Sequence, residues 1–150
     1  MLRDGAGERI DFDSPDAASQ DVKHVAKVVG ADLVGIAPFD QRWTYTERFS
    51  VRTGGAKPND LPAELTNVIV IGQSMDHDLT RTAPSALAGT ATGLGYSLDS
   101  VVLLTIAQYI RNLGYLAIPS MNDTALAIPY ALEAGLGEYE AGLGKHGARK

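Results

Sequence analysis

The clearest strand in the sequence is the run Asn67–Gly72, which reads NVIVIG. Its β-branched side chains are apolar on both faces, so the strand needs cover from both sides, as in the centre of a sheet. We therefore predict that Asn67–Gly72 lies at the centre of a sheet.

The first part of the chain predicts a helix followed by a strand. Ser14 and Pro15 combine a helix N-cap with a proline in the first turn, apolar residues follow at helical spacing, and Gly30 ends the pattern. The apolar run Ala31–Ala37, closed by Pro38, then predicts a short buried strand. A helix and a strand in sequence therefore open the predicted domain.

The last part predicts a largely buried helix, a strand and a further helix. Apolar residues recur at helical spacing over Ser97–Leu113, Tyr115–Ile118 is short and apolar, and another helix is expected over about Ala125–Ala134. Either Asn122 or Asp123 can cap that last helix. A structural role therefore accounts for one of these two polar residues without a ligand.

Composition excludes several kinds of site. The chain of 150 residues has a net charge of −5, which argues against a nucleic-acid partner, and it contains no cysteine. Without cysteine it forms no disulfide, no thiolate zinc site, no thiol nucleophile and no iron–sulfur cluster of its own. His24, His77 and His146 stand in no HxxxH or HExxH frame, and His24 lies off the apolar stripe of its helix. We therefore predict no metal site.

Length and hydropathy predict a single domain without a transmembrane segment. No apolar run reaches the roughly 18 residues that a membrane span needs. Residues 1–12 carry charges where a signal peptide needs an apolar stretch. The chain is therefore expected to be cytoplasmic by default.

Two polar segments are open to more than one interpretation. The connection 39–64 has no clear period, and its planar and cationic side chains could shape a pocket for a planar ligand or anchor a loop. These side chains are Arg42, Trp43, Tyr45, Arg48 and Arg52. After the strand Asn67–Gly72, the neighbours Asp76, His77 and Asp78 could form a carboxylate–imidazole pair or a plain hydrogen-bonded turn.

Tyr96 is predicted at the N-terminal end of the helix Ser97–Leu113. Free backbone N–H groups and the positive end of the helix dipole favour a phenolate there. This position suits a proton donor, and a half-buried aromatic residue with one hydrogen bond is the other interpretation. The preceding segment 89–95 is rich in glycine, but it contains neither a GxGxxG motif after a strand nor GxxxxGK[ST], so dinucleotide binding is not indicated.

Longer stretches of the chain resemble one known family. The string LGYSLDSVVLLTIAQYIRNLGYLAIPSMNDTALAIPYALEAGLGEY, which ends at Tyr139, resembles the catalytic-core stretch of the corrinoid-dependent reductive dehalogenases. These enzymes are related to epoxyqueuosine reductase. The upstream parts ADLVGIAPFD, WTYTERF and NVIVIGQSMD are similar to the same family, so the resemblance covers roughly residues 15–139.

The resemblance implies a nitroreductase-like α/β core that holds a cobamide, a cobalamin-type corrinoid. In the family, iron–sulfur clusters in a separate C-terminal region feed electrons to cobalt, where a carbon–halogen bond of an organohalide is replaced by carbon–hydrogen. The present chain has no cysteine to ligate such clusters. Its implied partners are an organohalide substrate and a missing C-terminal half or an electron-donor protein. Exported family members act at the outer face of the cytoplasmic membrane.

Two catalytic residues follow from the resemblance alone. In the family a tyrosine donates a proton to the substrate carbon, supported by an asparagine and a basic residue, and Tyr96 and Asn122 match the first two by motif. This chemistry requires a weak acid whose anion is stabilised by hydrogen bonds and a nearby cation. The chain departs from the family pattern after Tyr139, so neither Lys145 nor Arg149 is assigned the basic role. No cofactor-binding residue is assigned.

Several functions remain open from the sequence. The leading one is part of a corrinoid-dependent reductive dehalogenase, truncated before the iron–sulfur region, with a flexible arm at 1–13, an incomplete core at 14–139 and a Gly-rich basic tail at 140–150. The chain could instead be a non-catalytic corrinoid-binding module, or an incomplete fragment that needs a partner chain. A flavin enzyme of the nitroreductase type is a further alternative, which rests on fold analogy.

Overall fold

A computed structural model describes residues 2–3, 7–50, 54–139 and 146–147 of the chain. These residues form helices and small two-stranded sheets, a mixture consistent with an α/β fold. The helices are α1 (Pro15–Val28), α2 (His77–Thr80), α3 (Ala86–Asn112) and α4 (Ala127–Glu133). The strands are β1 (Leu33–Pro38), β2 (Glu47–Ser50), β3 (Gly55–Pro58), β4 (Asn67–Gly72), β5 (Glu138–Tyr139) and β6 (His146–Gly147).

The backbone contacts divide the chain into two compact units. Unit 1 comprises Met1–Val34 and Ile71–Pro119, and unit 2 comprises Gly35–Val70 and Ser120–Lys150. Helices α1, α2 and α3 belong to unit 1, whereas α4, β2, β3, β5 and β6 belong to unit 2. Each unit is therefore assembled from two separate stretches of sequence.

Helix α1 begins and ends close to where the sequence predicts. The Ser14 Oγ accepts a 3.1 Å hydrogen bond from the Ala17 N–H, and Pro15 occupies the first helical position. Gly30 follows the C-cap with a φ of +111°, a backbone conformation that glycine adopts without strain. His24 is exposed on this helix, so its interpretation as a solvated histidine is confirmed.

Strand β4 forms as predicted, but it does not lie at the centre of a larger sheet in the described part of the chain. Within the described part of the chain, β4 pairs with β1 alone, and none of its residues is fully buried. The Asp32 N–H donates to the Gly72 carbonyl (3.1 Å) at one end of this pair, and the Phe39 N–H donates to the Thr66 carbonyl (2.9 Å) at the other. The two strands therefore run in opposite directions.

Helix α3 starts at Ala86, a full three turns before the predicted start at Ser97. Ser85 is its N-cap, and the Ser85 Oγ accepts a 3.2 Å hydrogen bond from the first turn. Glycines have a low helix propensity, which hid this part of the helix from sequence reasoning. Burial of Ala91 and Gly95 against the rest of unit 1 compensates for that low propensity.

The side chains of α3 form three faces. One face is buried and carries Ala91, Gly95, Val102 and Ile106. A second face, which we call the leucine stripe, has the spacing i, i+7, i+11, i+14 and carries the exposed Leu87, Leu94, Leu98 and Val101. A third, which we call the glycine–tyrosine face, has the spacing i, i+4, i+7, i+11 and carries Gly89, Gly93, Tyr96 and Ser100. The expectation that this helix is largely buried is wrong for the leucine stripe.

Helix α3 is also the one helix in the described ranges that is long and apolar enough to cross a membrane by length and composition. Asp99 lies at the middle of its 27 residues, where a charged group is costly in a bilayer. Helix α1 packs against it. Both features are typical of a helix that packs within a protein.

The segment 115–118 forms no strand, contrary to the sequence prediction. The Arg111 guanidinium instead donates two hydrogen bonds, of 3.0 and 2.8 Å, to the Ala117 carbonyl. Leu116 and Ile118 are exposed rather than covered by a sheet. An apolar run of this length forms a strand only where a neighbouring strand accepts and donates its backbone hydrogen bonds.

Helix α4 begins later than predicted, and neither Asn122 nor Asp123 caps it. Its N-cap is Leu126, which makes no side-chain capping hydrogen bond. The Asp123 carboxylate accepts hydrogen bonds from the hydroxyls of Ser120 (3.3 Å) and Thr124 (3.2 Å) instead. These local bonds fold the segment 120–124 into turns ahead of the helix.

The connection 39–64 contains a 3₁₀ turn at Gln41–Trp43 and a hairpin, although its sequence has no clear period. Strands β2 and β3 of the hairpin are antiparallel, and Arg48 lies opposite Lys57. Exposed residues dominate both strands, so the hairpin lacks the apolar alternation by which strands are recognised. Arg52 lies outside the described residues.

The tail contributes one short strand to the described structure. Strands β5 and β6 are antiparallel, with Glu138 opposite Gly147 and Tyr139 opposite His146. The sequence predicts no core strand in this tail, and β6 is two residues long. Lys145 and Arg149 lie outside the described residues.

Candidate functional site

Tyr96 lies in the interior of α3, so its predicted place at the start of a helix is wrong. Because Ser85 caps the helix, the N–H groups around Tyr96 are used within the helix rather than free to bind an anion. The Tyr96 side chain is 48% exposed and belongs to the glycine–tyrosine face. About half of the Tyr96 side chain is therefore accessible to solvent.

The glycines leave the backbone bare beside this phenol. Among the described residues, a Cβ added at Gly89 or Gly93 would meet no atom within 4 Å outside the local helix backbone. Gly93 stands almost one turn before Tyr96 on the same face, so a flat group can approach the helix closely next to the hydroxyl-bearing ring. Among the described residues, nothing fills the space beside Gly89 and Gly93 on the glycine–tyrosine face.

Asp99 is a titratable group of α3 that the sequence reasoning missed. It follows Tyr96 by three residues, which places it about one turn further along the helix. Partial burial raises the pKa of the Asp99 carboxyl. An acidic residue within an otherwise apolar stretch is the signal that could have identified it.

Asn122 lies in unit 2, in the exposed turns that precede α4. Tyr96 lies in unit 1, so the two residues matched by motif are held by different parts of the chain. The position of Asn122 depends on how the segment 120–126 is attached to the rest of unit 2. Its catalytic role remains a prediction.

A short backbone pairing attaches this segment to the loop before β2. The Tyr45 N–H donates to the Thr124 carbonyl (3.0 Å), and the Leu126 N–H donates to the Trp43 carbonyl (2.8 Å). An antiparallel bridge joins the residues that lie between them. Because residues up to Leu126 are held in this extended pairing, α4 starts only at Ala127.

Trp43 anchors this loop to α4, and Arg42 bonds the Asp40 carboxylate within the loop. The Trp43 Nε1 donates to the Glu133 carboxylate (2.9 Å), and the Arg42 Nε donates to both carboxylate oxygens of Asp40 (2.9 and 3.1 Å). The Tyr130 hydroxyl accepts from the Asp40 N–H (3.0 Å) and donates to the Asp40 carbonyl (2.7 Å). Hydrogen bonds from Arg42 lower the pKa of the Asp40 carboxyl. The loop-anchor interpretation is therefore confirmed for Arg42 and Trp43.

The polar residues after β4 cap and begin the short helix α2, and His77 and Asp78 form an exposed pair. The Asp76 carboxylate caps α2 by accepting a 2.8 Å hydrogen bond from the Leu79 N–H. His77 and Asp78 lie 3.8 Å apart with side chains that are 81% and 95% exposed. No group of three His, Asp or Glu side chains within the described ranges could hold a metal ion.

Comparison with known proteins finds relatives over most of the chain. The tetrachloroethene reductive dehalogenase of Dehalobacter restrictus is 36% identical over 88% of this chain, and that of Desulfitobacterium hafniense is 35% identical over 88%. The tetrachloroethene reductive dehalogenase of Sulfurospirillum multivorans is 31% identical over 78%. Over this matched length, the chain belongs to the reductive dehalogenase family.

The chain spans less than a third of the length of these reductive dehalogenases. It covers 30% of the Dehalobacter and Desulfitobacterium proteins and 28% of the Sulfurospirillum protein. No protein-family model matches it. The family resemblance drawn from the sequence is confirmed, whereas the roles of Tyr96 and Asn122 in reductive dehalogenase chemistry stay predictions.

Proposed function

We propose that this chain is part of a corrinoid-dependent reductive dehalogenase that replaces a carbon–halogen bond of an organohalide by carbon–hydrogen. The observation that carries the proposal is the 36% identity to a tetrachloroethene reductive dehalogenase over 88% of the chain. Each turnover takes up two electrons and one proton and releases a halide ion. A chlorinated ethene is the substrate class that the relatives' names suggest.

The glycine–tyrosine face of α3 fits a flat cofactor. Gly89 and Gly93 present bare backbone, and no described side chain fills the space that a Cβ would occupy there. In the nitroreductase-like core that we propose, these residues would lie against a cobamide, with the Tyr96 phenol beside it. When bound, the corrinoid would supply the electrons that break the carbon–halogen bond.

Tyr96 would deliver the proton. A phenol O–H is a weak acid of the kind that can give a proton to a reacting carbon in general acid catalysis. The O–H bond of Tyr96 breaks, a C–H bond forms, and the phenolate left behind needs stabilisation. In the family an asparagine supports the tyrosine in this step, and Asn122 would take that role by its match to the family motif.

The electrons would have to reach the site from outside the chain's own residues. With no cysteine, the chain supplies no ligand for the iron–sulfur clusters that the family uses. A C-terminal half of the kind that relatives carry, or an electron-donor protein, would provide them. An artificial reductant can replace either in an assay.

The leucine stripe favours a second candidate function, that of a fragment completed by a partner chain. Its members are 43–59% exposed, and contiguous apolar surface of this kind is typical of an interaction face. The lack of cysteine favours a third, a corrinoid-binding module that does not itself carry out reduction. In the second candidate the chain is active only with its partner, and in the third it binds the corrinoid without carrying out reduction.

Anaerobic titration with reduced cobalamin, followed by absorbance and EPR, tests the proposal. We expect saturable binding with a changed cobalt spectrum for the wild type, for Tyr96→Phe and for Asn122→Ala. With an artificial reductant and tetrachloroethene, both variants should lose most turnover, whereas Tyr45→Phe, a matched tyrosine change in unit 2, should not. A folded chain that binds no cobalamin contradicts both the enzyme and the corrinoid-module candidates, and binding without any turnover favours the module.

A further inference from the structure

The side chain of Asn59 joins two distant stretches of unit 2. Its Nδ2 donates one hydrogen bond to the Tyr45 carbonyl (3.1 Å) and another to the Thr124 carbonyl (3.0 Å). A primary amide carries two N–H donors, so it can serve both carbonyls at once. The Asn59 N–H also donates to the Thr46 carbonyl (2.9 Å), which fixes the residue itself in place.

The structure that this amide braces is short. The segments 43–45 and 124–126 pair through two backbone hydrogen bonds and one bridge, far less than a regular strand pair provides. The Thr124 carbonyl is the shared point, because it accepts from both the Tyr45 N–H and the Asn59 Nδ2. Both lone pairs of that oxygen are therefore in use.

Asn122 lies two residues before this doubly bonded carbonyl. Within the turns that carry it, the Asp123 carboxylate accepts local side-chain hydrogen bonds. Backbone hydrogen bonds of Thr124 and Leu126 tie these turns to the rest of unit 2. Loss of the Asn59 amide would leave the Thr124 carbonyl with a single bond and free the turns to shift. Asn59, whose amide holds this carbonyl, stands 63 positions before Asn122 in the chain.

We propose that Asn59 is a positioning residue that fixes the loop bearing Asn122 by clamping the carbonyls of Tyr45 and Thr124. It acts through the backbone and does not touch the substrate. The clamp stands on the hydrogen bonds alone, whereas its effect on dehalogenation rests on the proposed function of Asn122. One measurement tests the clamp itself, and a second tests its effect on dehalogenation.

The first measurement is amide hydrogen exchange in Asn59→Asp and Asn67→Asp. The first change replaces two donors by carboxylate oxygens that face two carbonyl oxygens, so the Tyr45 and Leu126 amides should exchange about tenfold faster at neutral pH relative to wild type. Asn67 is a matched control, because within the described part of the chain its Nδ2 donates to the neighbouring Thr66 hydroxyl alone. Unchanged exchange in Asn59→Asp would overturn the clamp.

The pH dependence of amide exchange separates loss of the hydrogen bonds from a simple loss of packing, because loss of packing would not change with pH. Two carbonyl oxygens raise the pKa of a carboxyl at position 59, and the protonated form regains one O–H donor. The excess exchange of Asn59→Asp over wild type at the same pH should therefore shrink as the pH falls. Asn59→Ala, which cannot regain a donor, should keep its excess at every pH. A parallel response of the two variants would overturn the clamp.

The second measurement is turnover of tetrachloroethene by the cobalamin-loaded chain with an artificial reductant. Asn59→Asp should lower kcat at least fivefold with KM and cobalamin affinity little changed, in the same direction as Asn122→Ala. Faster exchange with unchanged kcat in both variants would leave the clamp standing and overturn the proposed role of Asn122. Faster exchange with kcat lost only in Asn122→Ala would overturn the positioning role of Asn59.

Discussion

The indole Nε1 of Trp43 donates a 2.9 Å hydrogen bond to the Oε1 of Glu133, ninety residues later in the chain. This bond ties the loop before β2 to the last turn of α4. Tyr130, which is 2% exposed, joins the same loop through both backbone groups of Asp40. Helix α4 therefore holds the loop at two points that both depend on side chains.

Trp43→Phe should lower the free energy of unfolding by about 1 kcal/mol, because it keeps an aromatic ring but removes the donor to Glu133. Urea denaturation measures the change. Glu133→Gln is the control, since its amide oxygen still accepts the bond and should cost less than Trp43→Phe. An equal loss in both variants would mean that the charge of Glu133, rather than the hydrogen bond, stabilises the loop.

Because of Tyr109, the stability of unit 1 should fall as the pH becomes alkaline. Its hydroxyl donates to the Asp21 carboxylate, and this bond raises the pKa of Tyr109 to about 12. The folded pKa lies above the unfolded value of about 10, so the contribution is complete below pH 10 and is lost as the pH rises towards 12.

We therefore expect Tyr109→Phe to be less stable than the wild type at neutral pH and to approach it in stability between pH 10 and 12. Unfolding by urea at a series of pH values gives the comparison. Asp21→Asn removes the carboxylate and should bring the Tyr109 titration, followed by ultraviolet absorbance, back towards its ordinary value. A folded wild type whose Tyr109 titrates near 10 would contradict this prediction.

Replacement of Leu94 and Leu98 by glutamine should reduce binding of a hydrophobic dye and self-association. Both side chains are exposed, at 56% and 43%, so the stability should change by no more than about 0.5 kcal/mol. Val102→Ala on the buried face of the same helix is the control and should cost about 2 kcal/mol, since Val102 is 2% exposed. Unaltered dye binding in the glutamine variant would show that the leucine stripe is not the apolar surface recognised by the dye.

Sequence reasoning succeeded where the determinants are local. Ser14, Pro15 and Gly30 define α1 because caps act on neighbouring backbone groups. The β-branched residues of β4 likewise favour an extended backbone, but they do not determine how many strands pair with it. The central position predicted for β4 was wrong for that reason.

The remaining errors have tertiary causes. The first three turns of α3 are helical because burial of Ala91 and Gly95 offsets the glycines, and no local pattern reports that burial. In the candidate site, the motif identified Asn122, but the amide of Asn59 that braces its loop acts across 65 residues to Thr124. A contact of that range leaves no periodicity in one sequence.

Gly35→Ala should destabilise unit 2 by about 2 kcal/mol. A Cβ at this position would stand 2.7 Å from the Ala134 Cβ and 2.9 Å from the Ala134 carbonyl oxygen, so the backbone after α4 would have to move. Thermal unfolding measures the loss.

Gly93→Ala is the matched control for that substitution. It adds the same methyl group where no described atom beyond the local helix backbone lies within 4 Å, so it should stabilise α3 by up to about 1 kcal/mol. The same variant should weaken cobalamin binding if a flat cofactor lies on the glycine–tyrosine face. Unchanged affinity would place the cofactor elsewhere.

The pairing of residues 43–45 with residues 124–126 has a consequence for synthesis on the ribosome. Both stretches of unit 1 have been made once Pro119 has been added. The first stretch of unit 2, Gly35–Val70, is made earlier but cannot complete its unit until the second stretch, which begins at Ser120, has been added. Throughout that interval the hairpin of β2 and β3, with Phe49 69% exposed, lacks the segment that completes its unit. The nascent chain therefore offers chaperones and proteases an unfinished unit 2 for the time that it takes to add about fifty residues.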